Sequence, residues 1–120
     1  MVGLRKFLGV LLLALCLVPL VSGARAEADQ VMYVEATGYS AQDPGNSPYT
    51  ASGTLVRHGV IAVDPAVIPL GTRVYIPGYG DAVAEDIGWG IKGYMIDVAF
   101  DTHDEALMFG RQSLEIYIRE

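Results

Sequence analysis

Three aspartates stand where a carboxylate is costly. Asp64 follows Ile61-Ala62-Val63, Asp86 follows Val83-Ala84-Glu85, and Asp97 follows Met95-Ile96. Each lies at the end of, or within, an apolar run of β character. An isolated carboxylate there is unfavourable unless it is hydrogen-bonded or its pKa moves. A carboxyl group whose charged form is disfavoured keeps its proton near neutral pH and can act as a general acid. Plainer roles compete. Asp64 precedes Pro65 and suits a helix N-cap, and Asp86 precedes Ile87-Gly88 and can buttress a turn. Asp97 has apolar neighbours on both sides, so neither cap nor turn accounts for it. It is the strongest candidate.

Gly88, Gly90 and Gly93 separate the last two aspartates. Glycines allow close approach of a ligand to the backbone, or simply a tight connection between strands. Trp89, in the same segment, belongs to no periodic core pattern. It can stack on a sugar face through the apolar CH groups of the ring, or pack inside. Lys92 can meet a substrate oxygen or serve as an exposed solubilising charge. The Pro/Gly/Ser-rich segment 40–53 is a long loop, and long loops in compact domains tend to be functional. It offers the aromatic face of Tyr49 and the hydroxyl of Thr50. A metal site is not expected. His58 and His103 are far apart, and the only cysteine, Cys16, lies in an apolar leader. No G-x-S-x-G elbow and no phosphate-cradling glycine motif occurs.

The elements that must hold these groups are short. Strands are predicted over 31–38, 56–63 with a turn or bulge at His58-Gly59, 72–76, 82–86, 96–100 and 114–118. Asp64 to Ile68 should form one helical turn, ended by Pro69. Residues 77–80 read as a tight turn. Thr102 and Glu105 have capping-box spacing, so a helix should run from His103 to Phe109 and stop at Gly110. Short strands at close spacing, many Gly/Pro turns and one helix predict a small β-barrel; the connections are too short for repeated βαβ units.

The 120 residues divide into two parts. Residues 1–26 carry Arg5, Lys6 and Arg25, no acid, an apolar run over 7–21 and Ala24-Arg25-Ala26. That is the pattern of a cleaved signal peptide, with an uncleaved anchor as the competing reading. Leu15 before Cys16 disfavours lipidation. A polar lead over 27–31 precedes one domain over 32–119, and no cysteine remains after cleavage. Residues 27–120 hold 5 Lys+Arg against 14 Asp+Glu, a net of −9. That balance disfavours nucleic acid and any polybasic membrane contact, so no stable membrane contact is expected after cleavage. A chain this short is expected to hold one domain with one modest core.

The runs EATGYS, TASG, GVIAVDPAVIPLGTRVYIPGYGDAVAEDIG, IKGYMID and DTHDEALMFG, in this order over about residues 32–119, closely resemble the 3D domain, named for three aspartates. These fall on Asp64, Asp86 and Asp97. The resemblance implies a six-stranded double-psi β-barrel with one or two short helices. It also implies peptidoglycan cleavage, as in MltA-type lytic transglycosylases and small secreted stationary-phase relatives. In such relatives the position of Asp97 is the acid/base, and the first two aspartates shape and polarise the site. The expected partner is the glycan strand of peptidoglycan, at a cell-wall location outside the cell, with no cofactor. Tyr49, Thr50, Gly88, Trp89, Lys92 and Gly93 are the expected substrate contacts. The sequence departs from the usual D-T-G-G-A-I-K-G at Ile87 and Trp89. Two other classes compete. One is a glycan-binding module without catalysis. The other, an aspartic peptidase, would need a second D-x-G half to match the one at Asp86.

Overall fold

The computed structural model describes residues 30–119. The leader expected over 1–26 and the first residues of the polar lead lie outside these. The chain forms β1 (Gln30–Ser40), β2 (Val60–Val63), β3 (Arg73–Ile76), β4 (Gly80–Ile87), β5 (Met95–Phe100), α1 (His103–Phe109) and β6 (Gln112–Arg119). The strands close a barrel in the order β1-β5-β2-β4-β3-β6. β1 pairs with β5, and β2 with β4, in parallel; the other neighbours are antiparallel. Advancing every strand by three positions in chain order maps these six pairings onto themselves. The barrel is therefore two interlocked three-strand halves, the double-psi arrangement expected.

Period-two alternation fills the interior. Val34 and Ala36 of β1, Val74 and Ile76 of β3, Ala82 and Ala84 of β4, Ile96 and Val98 of β5 and Ile116 of β6 form the core with Ile61, Val63 and Ile68. All four residues of β2 are buried, the core residues Ile61 and Val63 and also Val60 and Ala62. A closed barrel leaves no strand edge unpaired.

Two expectations need correction. Residues 56 and 57 lie outside any strand, and the turn expected at His58-Gly59 follows them, with Gly59 at φ 104°. Only the uninterrupted apolar run Val60–Val63 joins the sheet. β1 begins at Gln30 and reaches Ser40, so it takes in residues assigned to the polar lead and to the loop. The first half of β1 pairs with β6 and its second half with β5, which holds all eleven residues extended.

The turn after β2 is as expected. Asp64 Oδ1 accepts from Ala66 N at 3.0 Å, and Ile68 N closes one turn on Asp64 O at 2.9 Å. Helix α1 has its capping box. Thr102 Oγ1 accepts from Glu105 N, and the Glu105 carboxylate accepts from Thr102 N. The helix lies against β1 at Gly38, where a Cβ would stand 2.8 Å from Ala106 O, too close for any side chain.

Candidate active site

Four strands carry one row of residues onto the outer face of the barrel. Thr37 is in register with Asp97, Asp97 with Ala62, and Ala62 with Asp86. The row spans β1, β5, β2 and β4. Its floor is Ala62, whose small side chain leaves space between the two acids.

Asp86 reaches this face through an irregularity in the ladder. Ile61 is in register with Ala84, but the next residue, Ala62, is in register with Asp86. One extra residue, Glu85, is inserted in β4. Without it, Asp86 would share the inward parity of Ala82 and Ala84 and aim a carboxylate at the core. A bulge re-aims the side chain that follows it. The bulged strand is held from outside: Ser52 N donates to Glu85 O at 3.1 Å, and Thr54 Oγ1 donates to Glu85 Oε1 at 2.6 Å. The Thr54 hydrogen bond, helped by Arg57, keeps the Glu85 carboxyl below its ordinary pKa against a smaller burial effect.

The two acids have opposite surroundings. Asp86 accepts three hydrogen bonds: Tyr39 Oη on Oδ2 at 2.7 Å, and Ala51 N and Ile87 N on Oδ1, each at 2.9 Å. Asp97 accepts one from a side chain, Thr37 Oγ1 on Oδ1 at 2.9 Å. Burial pushes the Asp97 carboxyl up to about 6; the Thr37 hydrogen bond opposes this, and the charges of Asp43 and Asp86 add to it. Asp97 thus exchanges its proton near neutral pH, as a general acid/base requires. Tyr39, which donates to Asp86, feels both carboxylates. Burial, then its hydrogen bond to Asp86, then the Asp86 and Asp97 charges hold its hydroxyl protonated.

An open groove of about 540 Å³ runs over this row. Asp86, Asp97, Tyr49, Gly88 and Trp89 line it, as expected from the sequence. Trp89 is 91% exposed, so packing in the core is ruled out for it. The four other sequence candidates do not line the groove. Asp64 accepts from Gly93 N at 2.8 Å as well as from Ala66 N. These two bonds, the Gly93 one larger, and the positive charge of Lys92 outweigh desolvation and lower its pKa. Asp64 and Gly93 together clamp the glycine-rich segment to the turn after β2. Thr50 is buried, and its hydroxyl pairs with that of Thr54 at 2.8 Å. Lys92 is exposed beside this clamp.

Sequence reasoning missed Thr37, Tyr39, Asn46, Ser47 and Arg111, which line the groove. It also missed the anchor of the loop that carries Asn46. Asp43 Oδ1 accepts from Ser40 Oγ at 2.7 Å and pairs with His103 Nδ1 at 2.6 Å. Desolvation of Asp43 is outweighed by the hydrogen bonds from His103 and Ser40, and its pKa is lowered. Ser40 followed by Asp43 in a Pro/Gly-rich stretch is a turn signal that could have located this anchor. Among the described residues, no cluster of His, Cys, Asp and Glu could hold a metal ion.

Comparison with known proteins adds a family. The sequence model of the 3D domain matches residues 59–120. The chain is 42% identical over 102 residues to a protein of Bacillus subtilis named putative cell wall shaping protein YabE, covering 82% of this chain and 25% of YabE. It is 43% identical over 96 residues to the cell wall-binding protein YocH of the same organism, covering 77% of this chain and 33% of YocH. The chain thus spans about a quarter to a third of these relatives. The crystal structure of MltA from E. coli is similar over 62% of this chain and 28% of its own, with 24% identity and a TM-score of 0.49.

Proposed function

This chain belongs to the 3D domain family, and from that premise we propose that it is a peptidoglycan-active protein of the cell wall, a lytic transglycosylase with Asp97 as its single acid/base. The observation that carries the reading is the environment of Asp97. One carboxyl group sits mid-strand in an open groove, held by Thr37 and raised to about 6, beside an Asp86 fixed by three donors. The names of the relatives, cell wall shaping and cell wall-binding, support the location. The basic, apolar N-terminal segment supports export through a signal peptide.

The chemistry follows from one group of intermediate pKa. Protonated Asp97 donates to the glycosidic oxygen between MurNAc and GlcNAc. The C1–O bond breaks, and positive charge develops at C1 and the ring oxygen. Asp97, now ionised, takes the proton of the MurNAc C6 hydroxyl, whose oxygen closes on C1. The product is 1,6-anhydroMurNAc, and Asp97 is protonated again. Ordinary glycosidases use two carboxylates, one for the leaving group and one for water or covalent attack. Here the nucleophile belongs to the substrate, so one suffices. In this scheme Asp86 is the fixed negative charge facing the developing cation, and it is oriented by Tyr39. Asp64 acts at one remove, by clamping Gly93.

The test is digestion of purified sacculi. The chain should release anhydro-muropeptides visible by mass spectrometry, and Asp97→Asn should release none. Release by the Asn variant overturns the role of Asp97. A second reading, a glycan-binding module without catalysis, is favoured by Trp89, which is 91% exposed on the groove rim. Retention on sacculi without any released product decides for it.

A further inference from the structure

We infer that Arg111 is a subsite for a carboxylate carried by the glycan, and that it sets the preference of the groove for anionic over neutral sugars. The inference rests on the glycan reading above and concerns a residue that reading leaves unused. Among the described residues, Arg111 is the only basic side chain lining the groove. The other ionisable groups that line it are Asp86, Asp97 and the tyrosines Tyr39 and Tyr49. Residues 27–120 carry only 5 Lys+Arg against 14 Asp+Glu, so basic side chains are scarce in this domain.

Its place in the fold is specific. The antiparallel register of β1 with β6 ends at Ala36 and Gln112, so Arg111 comes next, beside Thr37. The row across the groove therefore reads Arg111, Thr37, Asp97, Ala62, Asp86. Two strand spacings separate Arg111 from Asp97, roughly 10 Å at the backbone. A long side chain crosses part of that span, so a substituent on the sugar next to the acid lies within reach. Glu35 Oε1 holds Nη1 of Arg111 at 3.1 Å, while the side chain stays 60% exposed. That contact orients the guanidinium, whose planar fork of N–H groups suits a second carboxylate.

The matching ligand chemistry is a carboxylate near the scissile bond. It has two sources: the lactyl group of a peptide-free muramyl sugar, or the stem peptide of an intact strand. Binding of either would offset the repulsion that a polyanionic strand meets from Asp86 and from the net charge of the domain.

The test is calorimetric titration of the chain in the Asp97→Asn background, so that strands are not consumed, with Trp89 emission as a second readout. Three probes are used: peptide-free glycan strands, the same strands with lactyl carboxyls converted to methylamides, and peptide-bearing strands. The parent should bind one carboxylate form roughly five- to tenfold tighter than the methylamide. Arg111→Ala should erase that difference and leave methylamide binding unchanged, and Arg111→Lys should retain part of it. Glu35→Gln breaks the ion pair alone and should keep the preference. A preference seen with peptide-free strands assigns the lactyl group, and one confined to peptide-bearing strands assigns the stem. The inference is overturned if Arg111→Ala weakens all three probes equally, or none. If the parent binds no probe, the glycan reading itself fails.

Discussion

Thr37 on β1 donates its hydroxyl to Asp97 on β5 across 2.9 Å, and the two residues are in register on parallel strands sixty positions apart in the chain. The bond stabilises the ionised form of an acid that burial pushes the other way. Thr37 is therefore a positioning residue that also sets the pH range of Asp97.

Thr37→Val removes this bond and keeps the shape of the side chain. The carboxyl should rise further above about 6 by up to about one unit, the equivalent of a single hydrogen bond of roughly 1.4 kcal/mol. The alkaline limb of the pH profile for anhydro-muropeptide release should move up by that amount. An unmoved limb would separate Thr37 from the titration of Asp97.

Asp97→Asn should be more stable than the parent at high pH. The folded-state pKa of about 6 lies above the ordinary 3.8, so the folded protein holds the proton more tightly than the unfolded chain. Stability is fully present below pH 3.8 and is lost as pH rises through about 6. Asn cannot ionise and escapes that loss. The gain should be about 2–3 kcal/mol at pH 8 and near zero at pH 4, read from urea midpoints. An equal difference at both pH values would refute the burial account.

Asp64→Ala should do the opposite. It leaves Gly93 N and Ala66 N without their acceptor, so the melting temperature should fall by a few degrees at neutral pH. The lowered pKa means that the contribution of Asp64 is present above pH 3.8 and is lost as pH falls below it. The variant and the parent should therefore converge in acid. Activity should fall in proportion to disorder of the 88–93 segment. A loss of activity with unchanged melting would place Asp64 in the chemistry instead.

Trp89→Ala tests stacking. The side chain is 91% exposed, so the melting temperature should not change. Affinity for glycan strands should drop about fivefold, from the loss of about 1 kcal/mol of aromatic contact. Tighter binding or faster digestion by the variant would mean that Trp89 obstructs the groove.

Local signals in the chain were sufficient for what depends on neighbours in sequence. The capping box at Thr102 and Glu105, the stop at Gly110, the turn opened by Asp64 and the oddity of an aspartate amid Met95, Ile96 and Val98 are all readable there, because each is decided within a few residues. The family motifs also pointed to the closed barrel. Which face each acid takes was not readable. Asp86 alternates with Ala82 and Ala84 as a core residue would, and only a bulge opposite Ile61 and Ala62 turns it outward. Thr37, Tyr39 and Arg111 have no unusual local setting; they enter the groove because β1 pairs with both β5 and β6. Thr50, Lys92 and Gly93 carry the right chemistry for a site yet serve or flank the clamps around it. Sequence thus determined which groups are chemically able. Tertiary structure decided which of them meet, because parity and register belong to pairs of distant strands and not to either strand alone.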